Sequence, residues 1–387
     1  MTESYDVVVI GAGSVGCPTA MELSLRGLRV LVLDEMASAG QGQNKAAIGG
    51  VRATHSDPAK IALCSQSLEV FSTFADRWGI EVGWKPGGYC FPALDDRVEE
   101  ILKGLVPMQQ AAGLDIDWVG PEEVQRLIPG IVTDGLKGGT FSPGDGQVSP
   151  LMAANAFQRV AERHGAVFKF REKVSGIEGE KGHVSAVVTD KGRYGAGTVV
   201  IAAGATARQV GAMVDLDLPV TPDSHEAGIT AAVEPFLDPL VVDLRPGPEG
   251  RTANFYFGQN HEGQIIFCYT PIELFVGTDR ESTSEFMPVV ARRLVGLVPR
   301  LKHALVRRIW RGLYPMTPDG LPIVDTVDSP AGIVLAVGMC GQGFMLGPGV
   351  AKTVASLVVE GAPSIDEAAF ATIRFERDFG VTREALK

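Results

Sequence analysis

Two glycine-rich turns, one near each end of the 387-residue chain, have the residue types that hold a phosphate group or an aromatic cofactor. The first follows the apolar residues 7–10 and places Gly11, Gly13 and Gly16 in the pattern GxGxxG. Such glycines permit a tight turn, a close approach of pyrophosphate and close helix packing. Asp34 ends the next apolar run, where an acid accepts hydrogen bonds from ribose hydroxyls. This frame predicts a site for the adenosine half of a dinucleotide.

The second turn, VGMCGQGFMLGPGV, occupies residues 337–350 and contains five glycines. An apolar run precedes it and an amphipathic stretch follows it, which predicts a strand, a turn and a helix. The N-terminus of that helix would present backbone amides to the far end of a long cofactor and stabilise negative charge there. A third apolar run leads into the small-residue turn at residues 198–207. After the second strand comes a polar, glycine-rich loop at 37–57, which favours FAD over a nicotinamide cofactor.

Composition excludes several classes of partner. The net charge of −11 argues against nucleic acid and against an anionic membrane surface. No apolar run reaches the roughly 18 residues of a transmembrane helix. The five cysteines are scattered without a CxxC pair, which favours a reduced, cytoplasmic compartment. The six histidines show no metal-ligand spacing, so we expect no metal site.

Several motifs together resemble the D-amino-acid-oxidase-like family of flavoproteins, which includes glycine oxidase, sarcosine oxidase (with its beta subunit) and dye-linked L-proline dehydrogenase. The most specific feature is a TPDGLP segment followed by a glycine turn. The motifs that carry the resemblance are VVVIGAGSVG, AAIGGVRATHSD, DGQVSP, VVIAAGATA, GLYPMTPDGLPIVD and GMCGQGFMLGPGV.

The resemblance implies an α/β fold, with a Rossmann-like FAD-binding domain and an inserted α+β substrate domain built on a mixed or antiparallel sheet. The pattern of apolar runs agrees with this division. We expect a discontinuous FAD-binding domain at 1–85, 145–215 and 316–387, and a substrate-binding domain at 86–144 and 216–315.

The family also implies how FAD is held. Gly312 stands where some relatives have the cysteine that bonds covalently to flavin, so we expect non-covalent FAD. Lys45 is expected to replace, at the phosphates, an arginine common in this loop of the family. The residues expected to bind the cofactor are Gly11, Gly13, Ser14, Val15, Gly16, Asp34, Glu35, Gln43, Asn44, Lys45, Ile48, Gly49, Gly50, Val174, Ala203, Gly204, Gly338, Cys340, Gly341, Gln342, Gly343, Phe344 and Met345.

The reaction implied by the family is hydride transfer from the carbon beside an amine to flavin N5. An amino-acid substrate then needs a cation for its carboxylate. The arginine and lysine that serve relatives are replaced here by Tyr314 and Met345. Arg52 is the best remaining cation, although it could instead brace its loop or the FAD phosphates. Tyr256 and Tyr314 are expected either to close the pocket through their hydroxyls or to pack within a sheet.

The electron acceptor is the least determined property. The lysine that activates oxygen in sarcosine oxidase would fall near Ile265, so the sequence mildly favours a dehydrogenase over an oxidase. His55 and His225 are expected to be hydrogen-bonded or solvated rather than catalytic bases. We therefore expect oxidation of a C–N bond in an amino acid or a secondary or N-methyl amine, with an electron-acceptor protein or partner subunits. The alternatives are a flavin subunit that is inactive alone and a 2-hydroxy-acid oxidoreductase.

Overall fold

The computed structural model describes residues 3–248 and 250–380 of the chain. It has the mixed α/β architecture predicted from the sequence. The strands are β1 (Ser4–Ile10), β2 (Val30–Asp34), β3 (Gly50–Val51), β4 (Lys85–Pro86), β5 (Tyr89–Ala93), β6 (Asp117–Val119), β7 (Gly138–Ser142), β8 (Gly146–Gln147), β9 (Val167–Phe170), β10 (Val174–Glu180), β11 (His183–Thr189), β12 (Arg193–Ile201), β13 (Thr221–Ala232), β14 (Leu240–Asp243), β15 (Thr252–Gln259), β16 (Gln264–Pro271), β17 (Val306–Met316), β18 (Ile323–Val327) and β19 (Ile333–Val337).

The helices are α1 (Gly16–Leu25), α2 (Pro58–Trp78), α3 (Asp96–Ala111), α4 (Pro121–Leu127), α5 (Pro150–Arg163), α6 (Ala207–Gly211), α7 (Phe286–Leu297), α8 (Gly343–Glu360) and α9 (Glu367–Ala371). Among the residues that the structure describes, none of the helices has the length and apolar character needed to cross a membrane.

One large sheet collects strands from three distant parts of the chain. Strands β9, β2, β1, β12 and β19 are parallel to one another, with β9 at one edge of the sheet, and Ile10 lies in register with both Leu33 and Ile201. Ile201 is also in register with Leu335 of β19. Because parallel strands end at the same edge, the turns after β1, β2, β12 and β19 meet there, where ligands bind in open α/β sheets.

The second large sheet has the order β17-β13-β16-β15-β14-β5-β7-β6, and a small third sheet has the order β3-β8-β4. Most pairs in the second sheet are antiparallel, whereas β14 and β5 are parallel. Its strands come from residues 89–142 and 221–316. The domain boundaries stay a prediction, and residues 381–387 of the last predicted segment lie outside the described residues.

Helix α8 packs against α1 and α2, and two of its glycines approach neighbouring backbone too closely to carry a side chain. An ideal Cβ at Gly347 would lie 1.9 Å from the Ser14 carbonyl oxygen, and one at Gly349 would lie 2.0 Å from the Leu63 carbonyl oxygen. Neither backbone oxygen can move without shifting a helix or the first turn. The glycines of the second turn therefore serve helix packing as well as the turn itself.

We predict that Gly349→Ala lowers the midpoint of thermal unfolding by a few degrees, because overpacking of this kind costs about 1–3 kcal/mol. Gly104→Ala is the matched control, since Gly104 lies within α3 and a Cβ there would meet open space. That substitution should leave the midpoint unchanged or raise it. Equal midpoints for Gly349→Ala and Gly104→Ala would contradict the packing argument.

Candidate functional site

Both glycine turns line one cavity of about 850 Å³ between the two large sheets. Residues after β1, β2, β12 and β19 form one side of this cavity, and residues of β13, β15, β16 and β17 form the other. The volume is within the range of pockets that bury a cofactor or a drug-sized ligand. Two segments more than 300 residues apart in the sequence thus face the same enclosed space.

The first turn has the geometry expected of a pyrophosphate-binding loop. Gly11 has φ +108°, and a Cβ there would lie 2.5 Å from the Ala202 carbonyl oxygen, so the turn packs against the end of β12. A Cβ at Gly16 would lie 1.8 Å from the Gly11 carbonyl oxygen, while one at Gly13 would meet open space. Gly11 and Gly16 are therefore packing glycines, and Gly13 leaves the backbone accessible from the cavity.

The carboxylate of Asp34 connects the first turn to the end of β2. One of its oxygens accepts a hydrogen bond of 2.7 Å from the Ala12 amide, and the other accepts one of 2.7 Å from the Met36 amide. Asp34 lines the cavity as well, so it both orients the glycine turn and faces the position predicted for the ribose.

In the second turn, Cys340 makes polar contacts through its sulfur and Gly341 packs against the ring of Tyr314. Cys340 has φ +49°, and its sulfur lies 3.1 Å from both the Thr317 hydroxyl and the Gly338 carbonyl oxygen. A Cβ at Gly341 would lie 2.3 Å from the ring of Tyr314. The absence of a side chain at Gly341 therefore lets Tyr314 of β17 reach the turn that begins α8.

Most of the residues predicted to bind the cofactor line the cavity, as do Arg52, Tyr256 and Tyr314. Two do not. Gly16 packs behind the first turn, and Lys45 is exposed and is not among the cavity-lining residues. The roles of the lining residues in binding stay predictions.

The sequence reasoning missed part of the lining. Apart from Tyr256, Tyr314 and His225, it did not single out the polar residues of the second sheet, although the alternation along β13 and β15 could have indicated which of their side chains share a face. It gave His225 only a structural role. The missed lining residues include Tyr89, Glu172, Lys173, Thr206, Gln209, Met213, Asp223, Glu226, Asn254, Cys268 and Thr270.

The lining fits an FAD molecule. The Oδ1 atom of Asn44 and the Oε1 atom of Gln342 are buried without hydrogen-bond partners, and both residues line the cavity. Buried acceptors of this kind need donors, which the ribityl hydroxyls and ring N–H groups of a flavin supply. Together with the accessible backbone at Gly13, they favour a cofactor that reaches from the first turn to the second.

The second sheet contributes a cluster of polar aromatic groups. The hydroxyls of Tyr256 and Tyr314 lie 2.9 Å apart, and the imidazole of His225 stacks on the Tyr314 ring at a centroid distance of 3.8 Å. His225 Nε2 lies 2.7 Å from Asp223 Oδ2. Burial raises the pKa of both tyrosines well above the usual value, and it raises the pKa of the Cys268 thiol to about 12. The two tyrosine hydroxyls and the Cys268 thiol therefore stay neutral near pH 7 and offer hydrogen bonds rather than charge.

Arg52 is buried beside the cavity in the loop after β3. Its Nη1 donates to the Thr54 carbonyl and lies 3.3 Å from His55 Nδ1. The nearby Asp145 accepts a hydrogen bond of 3.0 Å from the Ala53 amide. Burial raises the pKa of Asp145 to about 7, and the charge of Arg52 opposes that rise. The structure thus gives Arg52 partners within its own loop in addition to a place in the cavity lining.

Ile265 was the wrong position to look for an oxygen-activating group. Its side chain is buried in the apolar core with Phe255 and Phe267, and it does not line the cavity. Side chains alternate along β16, so the cavity face carries Cys268 and Thr270 instead. The loose sequence alignment of this strand missed the face because a shift of one residue exchanges the two faces.

Comparison with known proteins agrees with this geometry. Residues 6–357 match the family model described as DAO, FAD dependent oxidoreductase. Glycine oxidase of Geobacillus kaustophilus is 28% identical, over 98% of this chain and 100% of that protein. Sarcosine oxidase subunit beta of Rhizobium meliloti is 25% identical, over 97% of this chain and 89% of that protein. Some other curated relatives are longer, and the match covers 53% and 44% of the length of two of these proteins.

A solved structure has the same fold over almost its whole length. The L-proline dehydrogenase from P. horikoshii superposes with a TM-score of 0.89 at 28% identity, covering 96% of this chain and 98% of that chain. The resemblance drawn from the motifs, the fold class and the expectation of FAD are confirmed. The chain belongs to the DAO family of FAD-dependent oxidoreductases.

Proposed function

We propose that the protein oxidises a C–N bond of an amino acid or of a secondary or N-methyl amine and gives an imine. The observation that carries this proposal is the cavity that both glycine turns line, with the half-buried Tyr256–Tyr314 pair opposite them. The names of the relatives glycine oxidase, sarcosine oxidase subunit beta and L-proline dehydrogenase support the substrate class. Bound FAD supplies the acceptor for the hydride that leaves the substrate carbon.

The protein's own residues bind and orient the substrate and exclude water. The tyrosine hydroxyls offer hydrogen bonds on the side of the second sheet, and burial keeps both neutral. Arg52 is the proposed partner of a substrate carboxylate. Arg52 lies in the cavity lining, and its guanidinium has the fork geometry that matches a carboxylate.

We favour a dehydrogenase over an oxidase, for a reason different from the one that Ile265 suggested. Among the described residues that the second sheet contributes to the cavity, none is lysine or arginine. A cation there would stabilise the negative charge that develops on oxygen. Its absence favours another electron acceptor, either a partner protein or a dye.

A flavin subunit that is inactive alone is the second candidate function, supported by the subunit name of one relative. A 2-hydroxy acid is the remaining alternative substrate class.

The direct test is anaerobic mixing of the purified protein with amino acids, N-methyl amines and 2-hydroxy acids. Loss of the flavin absorbance band identifies a substrate without assuming an acceptor. Bleaching by 2-hydroxy acids alone would overturn the proposal. No bleaching by any compound would favour the inactive subunit, and activity should then appear when the partner subunits are added.

We predict that FAD is bound without a covalent link. Gly312 offers no side chain for one, and the sulfur of Cys340 is engaged by Thr317 and Gly338. Acid precipitation should therefore leave the yellow cofactor in the supernatant. Flavin that stays in the pellet would contradict this prediction, and its release by Cys340→Ser would identify Cys340 as the attachment point.

Arg52→Lys should raise KM for an amino-acid substrate by about 30-fold or more while FAD occupancy stays normal. The reason is the loss of a bidentate, charge-assisted pair, which costs about 2–4 kcal/mol. Arg208→Lys, at an exposed ion pair with Asp217, is the matched control and should change neither property. If Arg52→Lys instead loses FAD and leaves KM unchanged, the arginine is a brace for its loop.

Turnover with an artificial dye should exceed hydrogen peroxide formation in air with the same substrate. Thr270→Lys adds a cation on the cavity face of β16 and should speed peroxide formation by ~10-fold. Thr270→Met is the control, because it adds similar bulk without charge. Peroxide formation by the unmodified protein at the rate of dye reduction would make the chain an oxidase.

A further inference from the structure

The cavity wall formed by the second sheet carries two carboxylates, and the ion pair that Arg311 of this sheet makes with the wall is with Glu226. Among the described lining residues of this sheet, Asp223 and Glu226 are the carboxylates, and there is no lysine or arginine. Asp223 is 1% exposed, so its charge is shielded from bulk water. A buried carboxylate is retained only with partners that stabilise it.

The two carboxylates differ in how well they are satisfied. Glu226 accepts hydrogen bonds of 2.7 Å from the Thr283 amide and 2.6 Å from the Thr283 hydroxyl, and Arg311 lies 3.9 Å away. Asp223 uses Oδ2 for His225, but its Oδ1 is buried without a partner. Asp223 is therefore the carboxylate with bonding capacity left over.

His225 adds a second acceptor beside the first. In a neutral imidazole, donation from Nε2 to Asp223 leaves a lone pair on Nδ1. That Nδ1 atom is also buried without a partner, and the ring is held in place by stacking on Tyr314. Two orphaned acceptors on one strand, both in the cavity lining, need a ligand that brings several N–H donors.

We propose that Asp223 and His225 bind a second, cationic nitrogen of the substrate, one that is not oxidised. This inference rests on the proposed oxidation of an amino acid or amine. It makes the preferred substrate class amino acids or amines with an ammonium or guanidinium group several bonds from the reacting carbon.

The reacting nitrogen itself does not suit this site. Oxidation requires an uncharged amine whose lone pair supports the developing imine. A carboxylate beside that amine would favour its protonated form and oppose the reaction. A nitrogen far from the reacting carbon stays protonated during the reaction. It therefore needs a carboxylate and hydrogen-bond acceptors to replace the water that it loses on entering the cavity.

The test compares matched substrates by anaerobic reduction of the flavin. Lysine and ornithine, each as D and L isomers, are measured against norleucine and norvaline, which have similar length without the second nitrogen. The ratio of reduction rate to apparent Kd should favour the cationic member of each pair by ~10-fold or more. Equal or better reduction by norleucine and norvaline would overturn the inference while leaving the proposed function intact. If none of these compounds reduces the flavin but other amines do, the inference is also wrong.

Variants of the site assign the preference to Asp223. Asp223→Asn should remove most of the preference for lysine over norleucine, whereas Asp223→Glu should retain part of the preference. Glu273→Gln removes the same single charge from an exposed residue next to the lining residues Ile272 and Leu274, so it controls for long-range attraction. A preference that survives Asp223→Asn, or that falls equally in Glu273→Gln, would contradict the assignment. If Asp223→Asn fails to bind FAD, the wild-type substrate ratio still decides the inference.

Discussion

The contact between the two ends of the chain is the constraint on which the site depends. Helix α8 lies so close to the first glycine turn that a single Cβ at Gly347 would overlap the Ser14 carbonyl oxygen. The contact brings the turn after β19 beside the turn after β1, and the parallel register of β1, β12 and β19 aligns their ends. The two turns then present their backbones to one cavity, which suits a cofactor with a phosphate-rich end and an aromatic end.

The second sheet determines what else can enter that cavity. Along β13 the side chains alternate, so Asp223 and His225 face the cavity while the Glu226 carboxylate bonds to Thr283. The same alternation on β16 places Cys268 in the lining and Ile265 in the core. The resulting wall is rich in neutral and negatively charged hydrogen-bonding groups. Two polar atoms on this wall, Asp223 Oδ1 and His225 Nδ1, have no hydrogen-bond partner.

Unpartnered polar atoms lie in two separate regions of the cavity. Asn44 and Gln342 leave oxygen acceptors open, and both belong to the loop and turn predicted to hold FAD. Asp223 and His225 leave acceptors open on the opposite sheet. Arg52 is a cation in the loop after β3, where the Thr54 carbonyl already accepts one of its hydrogen bonds. Under the proposed functions, the places for a cofactor, an anion and a cation lie on different elements of the fold.

The sequence by itself determined the family, the fold class and the cofactor, because the spacing of Gly11, Gly13 and Gly16 and the second turn encode local backbone geometry. Such geometry depends on neighbouring residues and can be read from a short stretch. Only the tertiary structure decided which side chains share the cavity. Ile265 and Lys45 were expected near the cofactor and are not in the lining, while Asp223 was overlooked. Side-chain direction on a strand reverses with a shift of one residue, and pairing between distant strands fixes that register.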